Sequence, residues 1–183
     1  WVLVACGGSN TGETPAPPEP PDVQPLYPYP LDDVLRFQHL QAKSTHNSYH
    51  IEPEGNRLLD WAYSHAVVDE QLDAQGVRHF ELDLRFDPGS EHFEVFHLPV
   101  IDDQTTCRRF TDCIAAGKAW SDAHRAHHPI VFQVELKDAL GEDPESYFQR
   151  LHDEILSVWP LERMVTPDRG SRGRNLPELV GER

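Results

Sequence analysis

Positive charge is what this chain has least of. Sixteen lysines and arginines stand against 31 aspartates and glutamates in 183 residues, a net charge of -15. That balance repels nucleic acid and anionic membrane surfaces, and it suits a site that concentrates a divalent cation, although acidity also simply keeps a surface soluble. The only basic grouping, Arg169, Arg172 and Arg174, reads as part of a polar loop near the end. Nucleic-acid binding is therefore excluded as a function class. Apolar runs are short as well: none is long enough to cross a membrane, and no internal repeat is present. Cysteine is scarce, with three in all, and neither a Cys-x-x-Cys spacing nor an adjacent His completes a four-ligand zinc site. Cys107 and Cys113 have five residues between them, which a helical turn can close to bridging distance. They read either as a local disulfide or as two buried thiols.

An initial methionine is also lacking. The chain opens Trp1-Val2-Leu3-Val4-Ala5-Cys6-Gly7-Gly8, which looks like the tail of an apolar signal segment cut off at its front. Leu3-Val4-Ala5-Cys6 resembles a bacterial lipobox, in which the cysteine is lipidated and becomes the mature N-terminus. The competing reading is a short buried strand with an incidental thiol. Residues 1–6 are thus expected to be a signal remnant, with Cys6 the lipidation site and a lipid anchor the membrane contact. Gly7 offers no acidic signal for inner-membrane retention. The expected location is extracytoplasmic, in a bacterial cell envelope as an outer-membrane or secreted lipoprotein, where a disulfide is at home. Residues 7–30 form a linker: eight prolines fall between Pro15 and Pro30, and proline fixes φ and removes backbone donors.

The globular part, 31–183, alternates in period. Strands are expected at Phe37–Lys43, Val77–Phe86, Phe93–Leu98 and Pro129–Leu136. Helices are expected at Asn56–Gln75, with Gly76 as C-cap, at Phe110–His124 and at Glu145–Val158. Strands alternating with helices argue for an α/β domain with a parallel sheet.

Four segments carry chemistry, each in or just after an apolar run: Ser44-Thr45-His46-Asn47-Ser48-Tyr49, Glu81-Leu82-Asp83, Phe96-His97-Leu98-Pro99 and Val134-Glu135-Leu136-Lys137. Side chains alternate across a strand, so Glu81, Asp83 and Arg85 share one face while Phe80, Leu82, Leu84 and Phe86 share the other. Two carboxylates on one face of a buried-looking strand repel unless a cation or a proton intervenes; the duller reading is an exposed edge strand with solvated charges. Glu135 is a candidate third carboxylate. Lys137 either neutralises it or meets a phosphate, and a plain surface pairing competes with both. Asn47, Glu81, Asp83 and Glu135 are all oxygen donors, a set that suits Ca²⁺ or Mg²⁺. Histidine titrates near neutrality, so His46 and His97 are candidates for moving the protons that phosphodiester cleavage requires. His124, His127 and His128 read as surface or structural residues.

In order and wording these four segments resemble the catalytic X region of the calcium-dependent phosphoinositide phospholipases C, across roughly Phe37 to Asp138. Thr105-Thr106-Cys107 through Cys113 looks like the exported bacterial members. The resemblance implies a (β/α)8 barrel of the TIM type. Such a barrel typically needs ~250 residues, so the chain is expected to hold roughly its first half, truncated at both ends. It also implies that Asn47, Glu81, Asp83 and Glu135 hold Ca²⁺, with Mg²⁺ the poorer fit. By the same resemblance His46 stabilises the phosphoryl transition state or assists deprotonation, and His97 protonates the leaving group. Arg85 and Lys137 are expected to contact the substrate, a phospholipid or other phosphodiester. Two alternatives stay open: a glycerophosphodiester phosphodiesterase, whose His-Arg pair is replaced here by His46-Asn47, and a non-catalytic surface lipoprotein that keeps the barrel.

Overall fold

The computed structural model describes residues 2–5, 34, 39–141 and 143–167. Cys6, the proline-rich linker and Arg169, Arg172 and Arg174 lie outside the described residues. The elements in chain order are β1 (Val2–Ala5), β2 (Lys43–Thr45), α1 (Val68–Asp73), β3 (Val77–Asp87), β4 (His92–Val95), α2 (Phe110–Ala123), β5 (Ile130–Leu136) and α3 (Pro144–Val158).

The longest strand, β3, organises the sheet. β2 pairs parallel to its first half, with Lys43 opposite Val77 and Thr45 opposite Phe80. β5 runs parallel along its other edge, with Glu81 opposite Gln133 and Asp83 opposite Glu135. β1 closes the far edge of β5 in the antiparallel sense, Val2 opposite Gln133. Three parallel strands joined through helices make this a mixed α/β domain.

Phe80, Leu82 and Leu84 of β3 and Phe132 and Val134 of β5 all point to one face and are buried there with Phe110, Cys113, Ile114 and Trp159. α2 supplies much of that cover because Phe110, Cys113, Ile114, Gly117, Trp120 and Ser121 recur at helical spacing on its inner side. α3 starts where Asp143 Oδ1 accepts from the Ser146 amide at 3.1 Å and Pro144 occupies the first turn. It docks through Leu151, flanked by Tyr147, Ile155 and Val158. Trp159, fully buried, donates its indole N–H to the Ile114 carbonyl at 3.1 Å. The opposite face of the sheet carries His79, Glu81, Asp83, Gln133 and Glu135.

Four expectations are corrected. The expected strand Phe37–Lys43 is displaced: 35–38 lie outside the described residues, and pairing begins at Lys43, so Ser44 and Thr45 are strand rather than its sequel. The expected helix Asn56–Gln75 shrinks to α1 and a single 3-10 turn, Leu59–Trp61. Asn56 diverts the backbone by accepting from the Leu58 amide at 2.8 Å, and the His65 amide bonds the His50 carbonyl at 2.8 Å rather than a helical partner. The expected strand Phe93–Leu98 stops at Val95 and folds back antiparallel on β3, Leu84 opposite Val95 and Asp87 opposite His92. Asp87 makes that turn by accepting from the Gly89 and Ser90 amides. It is a hairpin arm, and not a further parallel strand. Gly76 takes φ +67° but is not the C-cap expected of it: α1 stops at Asp73 and Ala74 caps it.

Candidate active site

The polar face meets the C-terminal ends of β2 and β5, the place where α/β sheets bind ligands. β2 runs into a tight turn in which Asn47 takes φ +46°, a conformation asparagine tolerates better than most residues. That turn is clamped to β3 by three bonds. The Asn47 amide donates to Glu81 Oε2 at 2.6 Å, the Ser48 amide to the Glu81 carbonyl at 3.0 Å, and the Glu81 amide to Ser48 Oγ at 2.8 Å. Gln71 of α1 fastens the turn from behind, donating to the Ser48 carbonyl at 2.7 Å. Local sequence thereby delivers Asn47 to Glu81 although 34 residues separate them.

Glu81, Asp83 and Glu135 converge: one carboxylate oxygen from each lies within 4.8 Å of the others. Glu81 and Asp83 are buried and Glu135 is exposed. Burial, together with the charges of Asp83 and Glu135, pushes the Glu81 carboxyl up to about 7, although the Asn47 amide opposes the rise. Buried polar atoms are normally hydrogen-bonded, yet Glu81 Oε1 and Asp83 Oδ1 have no hydrogen-bond partner. Lys137 lies between the strands, its Nζ 2.6 Å from Glu135 Oε1 and 3.2 Å from Asp83 Oδ2. Burial works against the Lys137 charge, but the two carboxylates outweigh it and hold its pKa above the ordinary lysine value. A hard divalent cation fits this donor set: it would satisfy the orphan oxygens and needs no soft ligand. Asn47 Oδ1 accepts from the Tyr49 hydroxyl at 3.1 Å, and burial beside Asp83 raises the pKa of that phenol.

His46 and His97 line one cleft of about 520 Å³ with Asn47, Asp60, Trp61, Tyr63 and His65, a size suited to a small polar group. The His46 ring is exposed, while its carbonyl accepts from His65 Nε2 at 3.0 Å. His97 sits two residues past β4, edge-on to Trp61 with ring centroids 5.9 Å apart. Its Nδ1 lies 2.7 Å from Oδ2 of Asp102, a fully buried carboxylate. The Leu98–Asp102 bridge closes the loop between them. Arg85 holds this loop as well, donating from Nη2 to the His97 carbonyl at 2.9 Å with its guanidinium over Phe96. Cys107 and Cys113 form the disulfide, tying the following segment to α2.

Sequence reasoning missed Asp102, His50, Tyr49 and Tyr63. Tyr49 closes the first motif, His50 directly follows it, and Asp102 lies five residues after His97, so proximity to the motif histidines was the available signal.

No curated protein and no solved structure matches the chain. Residues 90–179 match the family model described as phosphoinositide phospholipase C, Ca²⁺-dependent. That stretch contains His97, Asp102, Glu135 and Lys137, whereas His46, Asn47, Glu81 and Asp83 precede it and join it only in space. Over residues 90–179 the chain is thus similar to the Ca²⁺-dependent phosphoinositide phospholipases C.

Proposed function

We propose that the chain carries the catalytic centre of a metal-assisted phosphoric diester hydrolase that cleaves a phospholipid head group. The observation that carries this reading is the convergence of three carboxylates, two with orphaned oxygens, beside Asn47, which bonds Glu81 and also lines the cleft that holds His46 and His97. Glu81, Asp83, Glu135 and Asn47 are the residues to hold Ca²⁺, with Mg²⁺ less suited to so open a set. When bound, the cation polarises the phosphoryl group and eases deprotonation of the attacking hydroxyl.

The rest is done by side chains. Asp102 fixes the His97 ring through Nδ1 and leaves Nε2 to deliver a proton to the leaving oxygen. His46, exposed across the cleft, steadies the phosphoryl oxygens or takes the proton from the attacking hydroxyl. Lys137 neutralises Asp83 and Glu135 and lies within reach of a phosphate, while Arg85 acts by holding the His97 loop. Leu59 and Val100, 92% and 89% exposed, stand on the two loops beside Trp61 and His97. Exposed apolar side chains at a cleft mouth suit a substrate presented by a lipid surface.

β2, β3 and β5 with their helices are proposed as the first part of a (β/α)8 barrel whose polar face is its interior. The disulfide fits an oxidising compartment, in keeping with an exported lipoprotein anchored at Cys6.

The test is product analysis on the full-length protein with phosphatidylinositol vesicles. Release of diacylglycerol and a phosphorylated head group is expected, and His97→Ala should lower kcat by about 10²–10⁴-fold. Release of glycerol phosphate points instead to a glycerophosphodiester phosphodiesterase. Undiminished turnover in the His97 variant overturns the assignment.

A further inference from the structure

Asp102 is shared. While Oδ2 takes His97, its Oδ1 lies 2.8 Å from Nε2 of a second histidine, His50, and both residues are completely buried. The other nitrogen of His50, Nδ1, lies 2.9 Å from the Tyr63 carbonyl oxygen. A carbonyl only accepts, and an ionised carboxylate only accepts. Both His50 nitrogens therefore face acceptors, and a ring with a single N–H would leave one contact as oxygen against a bare lone pair. A carboxylate is the stronger acceptor of the two, so Nε2 is the nitrogen that must carry an N–H. The ring also lies against Tyr63, centroids 4.3 Å apart, and the His50 main chain bridges Thr105, so its place is fixed from several sides.

We infer that His50 is a positioning residue for the proton donor: it bridges the Tyr63 carbonyl and Asp102, holds Asp102 in one orientation, and through it fixes the ring of His97. One oxygen of Asp102 is then pinned by a rigid donor tethered at its far end, which leaves the other aimed at His97 Nδ1. His50 touches no substrate. It joins the segment carrying His46 and Asn47 to the loop carrying His97, so the two halves of the cleft share a buried brace.

The inference rests on His97 being the donor, and its test separates the two claims. In the calcium-free full-length protein, nitrogen-15 spectra of the histidine rings should show an N–H at Nε2 of His50 and at Nδ1 of His97. A bare Nε2 on His50 overturns the proposal whatever the activity. His50→Leu, checked for folding by circular dichroism, should lower kcat roughly tenfold or more with KM and Ca²⁺ affinity unchanged. His50→Gln, whose amide still donates to Asp102, should recover most of the loss. A folded His50→Leu protein with wild-type kcat also overturns it. Should His97→Ala retain full turnover, the catalytic role of His97 falls, whereas the His50 spectrum still decides whether the brace exists.

Discussion

At the scale of single residues the site stores unfavourable electrostatics. Glu81 is buried against Asp83, with its carboxyl raised to about 7 from the ordinary 4.5. Below the unfolded value both states hold the proton and the fold is not penalised. Between about 4.5 and 7 the folded state binds more protons than the unfolded state, so this group's contribution to stability is lost as pH rises. Metal-free protein should therefore melt at a lower temperature at pH 7.5 than at pH 5, and saturating Ca²⁺ should restore more at pH 7.5, where no proton must be displaced. Scanning calorimetry at both pH values checks this, and a pH-independent gain from Ca²⁺ would count against it. Glu81 and Asp83 were legible in the sequence because strand alternation alone puts them on one face. The His50–Asp102 contact was not, because it spans 52 residues and depends on how two irregular loops close.

Elements built on strict alternation or helical spacing were readable: β3, β5, α2 and α3 lie where their periodicities put them. The 56–75 region was misread because Leu58, Leu59 and Ala62 mimic helical spacing. Asn56 captures the local backbone instead, and the chain is drawn out to carry Trp61, Tyr63 and His65 to the cleft. β4 was misread in direction, although Asp87-Pro88-Gly89-Ser90 is turn chemistry. The contact of α2 with the sheet yields a prediction at this scale. A Cβ on Gly117 would lie 2.6 Å from Phe132 Cζ, and that ring cannot retreat because it is fully buried and stacked on Phe80 at 5.4 Å. Gly117→Ala gains about 1 kcal/mol of helix propensity, but overpacking costs about 1–3 kcal/mol. A net loss of about 1 kcal/mol is expected in urea unfolding; a variant as stable as wild type would show that α2 sits farther from the sheet.

Across the molecule, an excess of negative charge, a sheet apolar on one side and acidic on the other, and a cleft holding two histidines all serve one arrangement. The helices bury the apolar face and leave the carboxylates at the strand ends, where a cation drawn by the net charge of -15 would find them. No helix among the described residues is long and apolar enough to cross a membrane, so contact with lipid falls to the exposed loop side chains and the proposed anchor. The central claim is that the carboxylate trio holds the metal needed for phosphodiester cleavage. The most direct test measures head-group release by the full-length protein against free Ca²⁺ concentration, for the wild type and for Asp83→Asn. The account predicts no turnover in chelator, saturable activation in the wild type, and a curve displaced at least about tenfold to higher Ca²⁺ in the variant. Turnover that persists in chelator, or two coincident curves, would contradict it.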